Sequence, residues 1–289
     1  MLFSADLTQR LCRTLSLRGP IRIVDVGASD LSQTERPSYE PLLQHGIGHL
    51  TAFEPNPAEL AKLVPAPDRQ YLSHAVGDGK EVVFNVTAHP GLCSTLTPDR
   101  RMLAELQTLG GAARILSQTP MRTSRLDDIA EVGPIDFLKI DAQGGELSVF
   151  EGGRLRLADV LCVQTEVGFV SLYEDQPTFG QQDAMLQSLG LRFYAMKSVN
   201  RFPLAATPQW LRSKWRSHDI GQWVDGDAIY LRDLLTWGAL PVDRLTRLFF
   251  ILAFCLPAIG ATLAVAQRLV GLHALPEELY LRLEAELEA

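Results

Sequence analysis

Along residues 21–233 the chain alternates short apolar runs with stretches of helical spacing. IRIVDVG begins at Ile21 and is followed by HLTAFEP and QYLSHAVGD. EVVFNVTA, IDFLKID, VLCVQTEV, LRFYAMKS and DAIYLRD come after them. These runs lack strict polar alternation, which fits strands covered on both faces. Residues 38–45, 58–64, 145–157 and 180–189 carry the helical pattern between them. Strand followed by helix, repeated, predicts an α/β fold with a largely parallel sheet and helices on both faces. EVVFNVTA is expected as an addition, antiparallel to the third strand. No long helix separates the last two runs, which fits a late antiparallel edge strand.

The ends of the chain differ from this middle. Leu7, Leu11, Leu15 and Leu17 give residues 1–20 the spacing of an amphipathic lead-in helix. After Asp233 the strand signal stops, and residues 234–289 read as a helical extension ending in PEELYLRLEAELEA. The organisation expected is therefore 1–20, 21–233 and 234–289. Within the extension, residues 248–266 carry no charge over 19 positions, just enough for a helix to span a bilayer. Pro257 removes a helical hydrogen bond, and Gly260 weakens what remains. Two short buried helices joined near Pro257 are expected, with a membrane helix as the alternative.

Composition narrows the function. Hydrophobic residues at 46% and charged residues at 21% suit a globular chain, and 289 residues suffice for a large core. The net charge of -7, with no basic cluster, argues against nucleic acid as a partner. Cys12, Cys93, Cys162 and Cys255 show no CxxC spacing, so free thiols in a reducing compartment are expected. The N-terminus lacks a basic start followed by an apolar stretch, so no secretory leader is expected. A cytoplasmic location follows, with peripheral attachment at the inner face of a membrane as the alternative.

In open α/β sheets ligands bind beyond the carboxyl ends of the strands, so the residues there carry the chemistry. The first run ends in Val24-Asp25-Val26-Gly27-Ala28-Ser29-Asp30. Gly27 allows a tight turn close to a ligand, and Asp25 can organise that turn or meet a cationic ligand. Ser at 29 and 32 replaces the later glycines of a dinucleotide fingerprint, which argues against a pyrophosphate ligand. Glu54 ends the second run and can accept hydrogen bonds from both ribose hydroxyls of an adenosine. Pro57 can start the next helix. Asp78 can bind an adenine amino group or form a turn with Gly79.

Lys139 and Asp141 share a strand face in DFLKIDAQGGE, where charge is costly unless paired or functional. Asp141 can face Glu166 across neighbouring strands, the two holding a divalent cation or one acting as a base. No compact ligand set accompanies them, and no metal ligands are assigned. His89, in the loop Thr87–Leu96, is either a second base or an exposed loop histidine. Trp210, Trp215 and Trp223, with Arg201, Arg212 and Arg216, can stack on sugar rings or simply cover the sheet.

VDVGASD, TAFEPNP, HAVGDG, GLCSTL, TSRLDDI, DFLKIDAQGGELSVFEGG, TEVGFVSLYEDQPTFGQQD and GDAIYLRD occur in this order between Ile21 and Asp233. In order and spacing the chain resembles the FkbM-type methyltransferases. The resemblance implies a Rossmann-like class I methyltransferase sheet using S-adenosylmethionine (SAM) to methylate a hydroxyl of a glycan or natural product. By carry-over Asp25, Gly27 and Glu54 hold SAM, Asp78 lies near the adenine and Asp141 near the methyl donor. Ser94 and Thr95 match a loop that closes on the site. Asp141 is the expected base, His89 the second choice, and Lys139 orients Asp141 or the acceptor. Three rival readings are a degenerate SAM-binding regulatory protein, a dinucleotide or nucleotide-sugar enzyme, and a membrane-associated methyltransferase of lipid-linked glycans. The apolar tail offers a homodimer surface.

Overall fold

A computed structural model describes residues 3–28, 36–106, 109–256 and 258–288. Its strands are β1 (Ile21–Val26), β2 (Gly48–Phe53), β3 (Arg69–Leu72), β4 (Glu81–Thr87), β5 (Ile115–Arg122), β6 (Phe137–Ile140), β7 (Cys162–Gly168), β8 (Leu191–Met196), β9 (Asn200–Phe202) and β10 (Gln222–Arg232). The main sheet runs β3-β2-β1-β6-β7-β10-β8, with β9 paired to β10. The pairs from β3 to β7 are parallel, and β10 is antiparallel to both β7 and β8. This is the expected α/β sheet with helices on both faces.

Two expectations change. EVVFNVTA does not pair with the third strand; β4 forms a separate antiparallel ribbon with β5. β5 is ILSQTPMR, exposed along most of its length and without an apolar run to announce it. The antiparallel β10 is also not the edge. It fills the gap between β7 and β8, because Ala228, Ile229, Tyr230 and Leu231 are all buried and need neighbours on both sides. β8, with Arg192, Phe193 and Tyr194 exposed, takes the edge.

Each face of the sheet has its own core. One packs Val24, Leu138 and Val163 beneath Val149 and Phe150 of the helix Glu146–Gly152 and Met185 and Leu186 of the helix Phe179–Ser188. Thr178 and Gln181 form a reciprocal cap at the start of the latter helix. The other joins Leu7 and Leu11 of the helix Ala5–Thr14 to Ile21 and Ile23 of β1. It continues into Phe249, Phe250, Val265, Leu269 and Leu283 of the C-terminal helices. The helical extension thus shares one continuous core with the sheet. Each such side chain contributes about 1.5–3 kcal/mol when buried.

The uncharged stretch 248–266 is interrupted near position 257, as expected, while Gly260 lies within the second helix. Helical structure runs over Val242–Phe250 and Ile251–Cys255, then resumes over Ile259–Gly271. Pro257 lies outside the described residues. Among the described residues no helix is long and apolar enough to cross a membrane.

Candidate active site

The strand order reverses between β1 and its neighbours β2 and β6, and the crevice beyond their carboxyl ends is the ligand position of such sheets. The crevice is tied together by backbone. The amides of Gly27 and Ala28 both donate to the Phe53 carbonyl at 3.0 Å, and the Asp141 amide donates to the Val26 carbonyl at 2.9 Å. Gly27 has φ +84°, and a Cβ there would lie 2.0 Å from the Asp141 carbonyl oxygen. Only glycine lets the β1 and β6 exits approach so closely. Ser29 and Asp30, where the first turn departs from a dinucleotide pattern, lie outside the described residues.

A cavity of about 940 Å³, counting its mouth, opens here. Gly27, Glu54, Asn56, Ser94, Gln143 and Asp141 supply its polar wall, while Val76, Val82 and Phe84 supply an apolar one. The β4–β5 ribbon and the segment between its two strands cover one side. Buried Asn85 donates its side-chain amide to the Leu96 carbonyl at 2.9 Å, and Ser94 Oγ donates to the Gln143 carbonyl at 2.7 Å. The loop containing Cys93, Ser94 and Thr95 is therefore fastened to the β6 exit.

Glu54 is only 6% exposed, and among the described residues no cation pairs with it. Its Oε1 accepts the Asn56 amide at 2.7 Å. Burial pushes its pKa up to about 7; the Asn56 amide opposes this, and the charges of Glu59 and Asp25 add to it. A buried carboxylate with acceptor capacity to spare, facing a cavity, suits a ligand that brings hydroxyl donors. Asn56 also caps the short helix begun by Pro57, its Oδ1 accepting from Ala58 at 3.0 Å.

Asp25 and Lys139 have a different partnership from the one expected. They sit opposite each other in the β1–β6 ladder, and Lys139 Nζ donates to Asp25 Oδ1 at 3.0 Å. The Tyr39 hydroxyl donates to Asp25 Oδ2 at 2.7 Å. Burial disfavours the Lys139 ammonium, but the Asp25 and Asp141 charges outweigh it and raise its pKa. Neither Asp25 nor Lys139 lines the cavity. They form a structural pair under its floor, so Lys139 orients Asp25 and does not hold Asp141.

Asp141 does line the cavity, and its orienting partner is Gln143. The Gln143 side-chain amide donates to Asp141 Oδ1 and Glu166 Oε2, each at 2.7 Å, bridging the two carboxylates expected to face one another. Gln143 has φ 49°, an uncommon conformation for a residue with a Cβ. Its carbonyl is held by Ser94, and the Tyr173 hydroxyl lies 3.1 Å from its Oε1. Buried Glu146 accepts the amides of Ala142 at 2.9 Å and Gly144 at 3.2 Å, which fixes the rest of the loop. Burial, then the charges of Asp141, Glu146 and Asp225, hold Glu166 well above the carboxylate range. Burial likewise raises Glu146 to about 7. Among the described residues no group of His, Cys, Asp and Glu has the arrangement of a metal site.

The other two candidates lie off the cavity wall. His89 is exposed, and its Nδ1 accepts the Gly91 amide at 3.2 Å, so it caps its own turn while Pro90 and Gly91 reach the cavity. The Asp78 carboxylate accepts the Lys80 amide at 3.2 Å and pairs with the Lys80 ammonium, which is the turn reading of that residue. Gln143, Glu146 and Tyr173 join the site without a sequence signal of their own. The Gly144-Gly145 step just after Gln143 was the available sign of a tight, strained passage.

A model of the methyltransferase FkbM domain matches residues 25–193. No protein of curated function matches the sequence. Among solved structures, an FkbM methyltransferase from Methylobacillus flagellatus is 14% identical, with 73% of this chain and 43% of that chain covered and a TM-score of 0.36. Magnesium protoporphyrin IX methyltransferase from Synechocystis, with bound SAM, is 7% identical over 79% of this chain and 78% of that chain, TM-score 0.35. A TehB-like SAM-dependent methyltransferase from Corynebacterium glutamicum is 12% identical over 78% and 88%, TM-score 0.33.

Proposed function

The chain belongs to the FkbM methyltransferase family, and from that premise we propose that it transfers a methyl group from SAM to a hydroxyl oxygen of a glycan or other small-molecule acceptor. The observation that carries this reading is the convergence of Gly27, cation-free Glu54 and Asp141 on one cavity at the reversal of strand order. Glu54 takes the ribose hydroxyls, Gly27 brings the backbone close, and the apolar wall of Val76, Val82 and Phe84 takes the base. Glu54 and Asp141 on the cavity wall, with no Lys or Arg among the described lining residues, favour a cationic donor and oppose a pyrophosphate.

SAM, when bound, supplies an already activated methyl group, so the protein contributes positioning and proton removal. Asp141 takes the proton of the acceptor hydroxyl. Gln143 holds the Asp141 carboxylate from one side and bridges it to Glu166, whose pKa burial raises. Ser94 fastens the covering loop, which limits water.

Calorimetric titration with SAM and S-adenosylhomocysteine tests the reading. Micromolar binding is expected, weakened about ten- to a hundredfold in Glu54→Ala through loss of hydrogen bonds to a charged acceptor. Folded protein that binds neither ligand would overturn it.

Acidity gives a second expectation. Hydroxyl donors favour ionised Glu54, whose pKa of about 7 lies well above its ordinary value. SAM affinity should therefore fall about tenfold for each pH unit below 7 and level off above it. Kd measured across this range should follow that curve in the native protein and flatten in Glu54→Gln. A pH-independent native Kd would remove Glu54 from the ribose site.

Ser94→Ala should raise the SAM Kd about five- to tenfold, the scale of one net hydrogen bond, without changing the fold. Near-ultraviolet circular dichroism alongside the titration would separate the two effects.

A further inference from the structure

A second cavity, of about 1330 Å³ counting its mouth, opens at the opposite edge of the sheet. It lies where β1, β6 and β7 begin and β10 ends, under the segment leading to the C-terminal helices. Arg22, Arg156, Arg232 and Arg244 line it, in a protein whose net charge is -7. Three carboxylates act on these four guanidiniums: Asp159 in the wall, Asp136 buried beneath it, and Asp243, whose charge reaches Arg22. The single charge of Asp136 is further divided, because Arg22, Arg244 and Arg247 all pair with it.

The surplus is located on particular residues. Arg232 donates to the Val160 carbonyl at 2.6 and 2.9 Å, to that of Leu189 at 2.6 Å and to that of Leu157 at 3.3 Å. Among the described residues these carbonyls are its partners and no carboxylate pairs with it, while Asp159 acts on it through charge alone. Among the described residues nothing accepts from the Arg156 guanidinium; only the Arg156 backbone amide is engaged, by Asp127 at 2.9 Å. Burial lowers Arg232 and Arg244 from the usual guanidinium range; Asp159 and Asp136 respectively oppose this, and Arg22 adds repulsion at Arg244. Concave walls, uncompensated positive charge and a free planar guanidinium are what a tetrahedral oxyanion needs for recognition.

We propose that this cavity binds a phosphate group, at a site separate from the cofactor cavity across the sheet. Arg156 is the residue that reaches the ligand without a competing partner, while Arg22 and Arg244 add charge from the wall. Because Arg244 also holds the C-terminal helices to the sheet, a bound anion stabilises that junction.

Thermal unfolding and calorimetry with inorganic phosphate and pyrophosphate test this, against sodium chloride at matched ionic strength. Saturable binding in the millimolar range or tighter is expected, with a rise in Tm and tighter binding of pyrophosphate. Among the described residues Arg156→Ala removes no side-chain hydrogen bond or ion pair, and it should unfold nearly as the native chain does without phosphate. It should weaken phosphate at least about tenfold, the scale of one charge-assisted pair. Glu54→Ala should bind phosphate as the native protein does, which distinguishes this site from the cofactor cavity. Flotation with phosphatidylglycerol vesicles, lost in Arg156→Ala, would place the phosphate on a lipid headgroup; binding of the soluble anions alone would place it on a soluble ligand. A response no larger than that to chloride, or one unchanged in Arg156→Ala, would overturn the proposal.

Discussion

Asp141→Asn is expected to lower methyl transfer by about 10²- to 10⁴-fold, the range for loss of a positioned base, while the SAM Kd stays within about threefold. Asparagine keeps the size of the side chain and an oxygen at Oδ1 to accept from Gln143. The β1–β6 closure depends on the backbone carbonyl and amide of residue 141, which the substitution does not touch. Glu146 continues to hold the amides of Ala142 and Gly144. Only the proton-accepting capacity is removed. The measurement is release of S-adenosylhomocysteine over a panel of hydroxylated acceptors, beside calorimetry with SAM. Loss of binding together with turnover would assign Asp141 to the cofactor or the fold. Unchanged turnover would move the base elsewhere.

Gly27, Glu54 and Asp141 were legible in the sequence for one reason. Each stands immediately beyond an apolar run, and a parallel sheet delivers all such positions to the same edge. Lys139 shows where that reasoning stops. Its place in a strand was readable, but its partner depends on the register that sets Asp25 opposite it, and register is not visible along a single strand. Gln143 was obscured by its chemistry: an uncharged amide carries no cost signal, although it bridges two carboxylates. β5 carries no signal because a mostly exposed ribbon needs no apolar pattern, and the inner place of β10 is not legible because order along the chain does not fix order in a sheet. The helical character of the extension is legible in the sequence, yet its attachment is not, since its ionic partners lie more than 100 positions away.

That attachment sets the largest expected loss of stability. Asp136→Ala should cost about 3–5 kcal/mol, the range for removing one partner from a buried ionic group. Asp136 is 0% exposed. It accepts the Arg22 amide and Nε at 2.9 Å and Nη2 at 2.7 Å, Arg247 Nη1 at 2.9 Å, and also Arg244. Alanine leaves three guanidiniums around an apolar methyl. Arg22 and Arg244 can turn partly toward water, being 37% and 19% exposed, but Arg247 at 6% cannot. Arg247 retains Asp243 at 2.8 Å and the Pro20 carbonyl at 2.6 Å, so the helix Val242–Phe250 is weakened and not released outright. For a chain of this size the loss corresponds to a Tm lower by about 6–20 °C. Asp136→Asn, which keeps acceptors for two of the donors, should fall between alanine and the native protein. Calorimetric unfolding of both variants checks the order. A Tm for Asp136→Ala within a degree or two of native would mean that burial of Phe249, Phe250 and Leu269 holds the extension without the ion cluster. Replacing Asp136 and Arg247 together by apolar residues of similar volume should recover much of the loss, because the main cost lies in charge left behind and not in the absence of the pair itself.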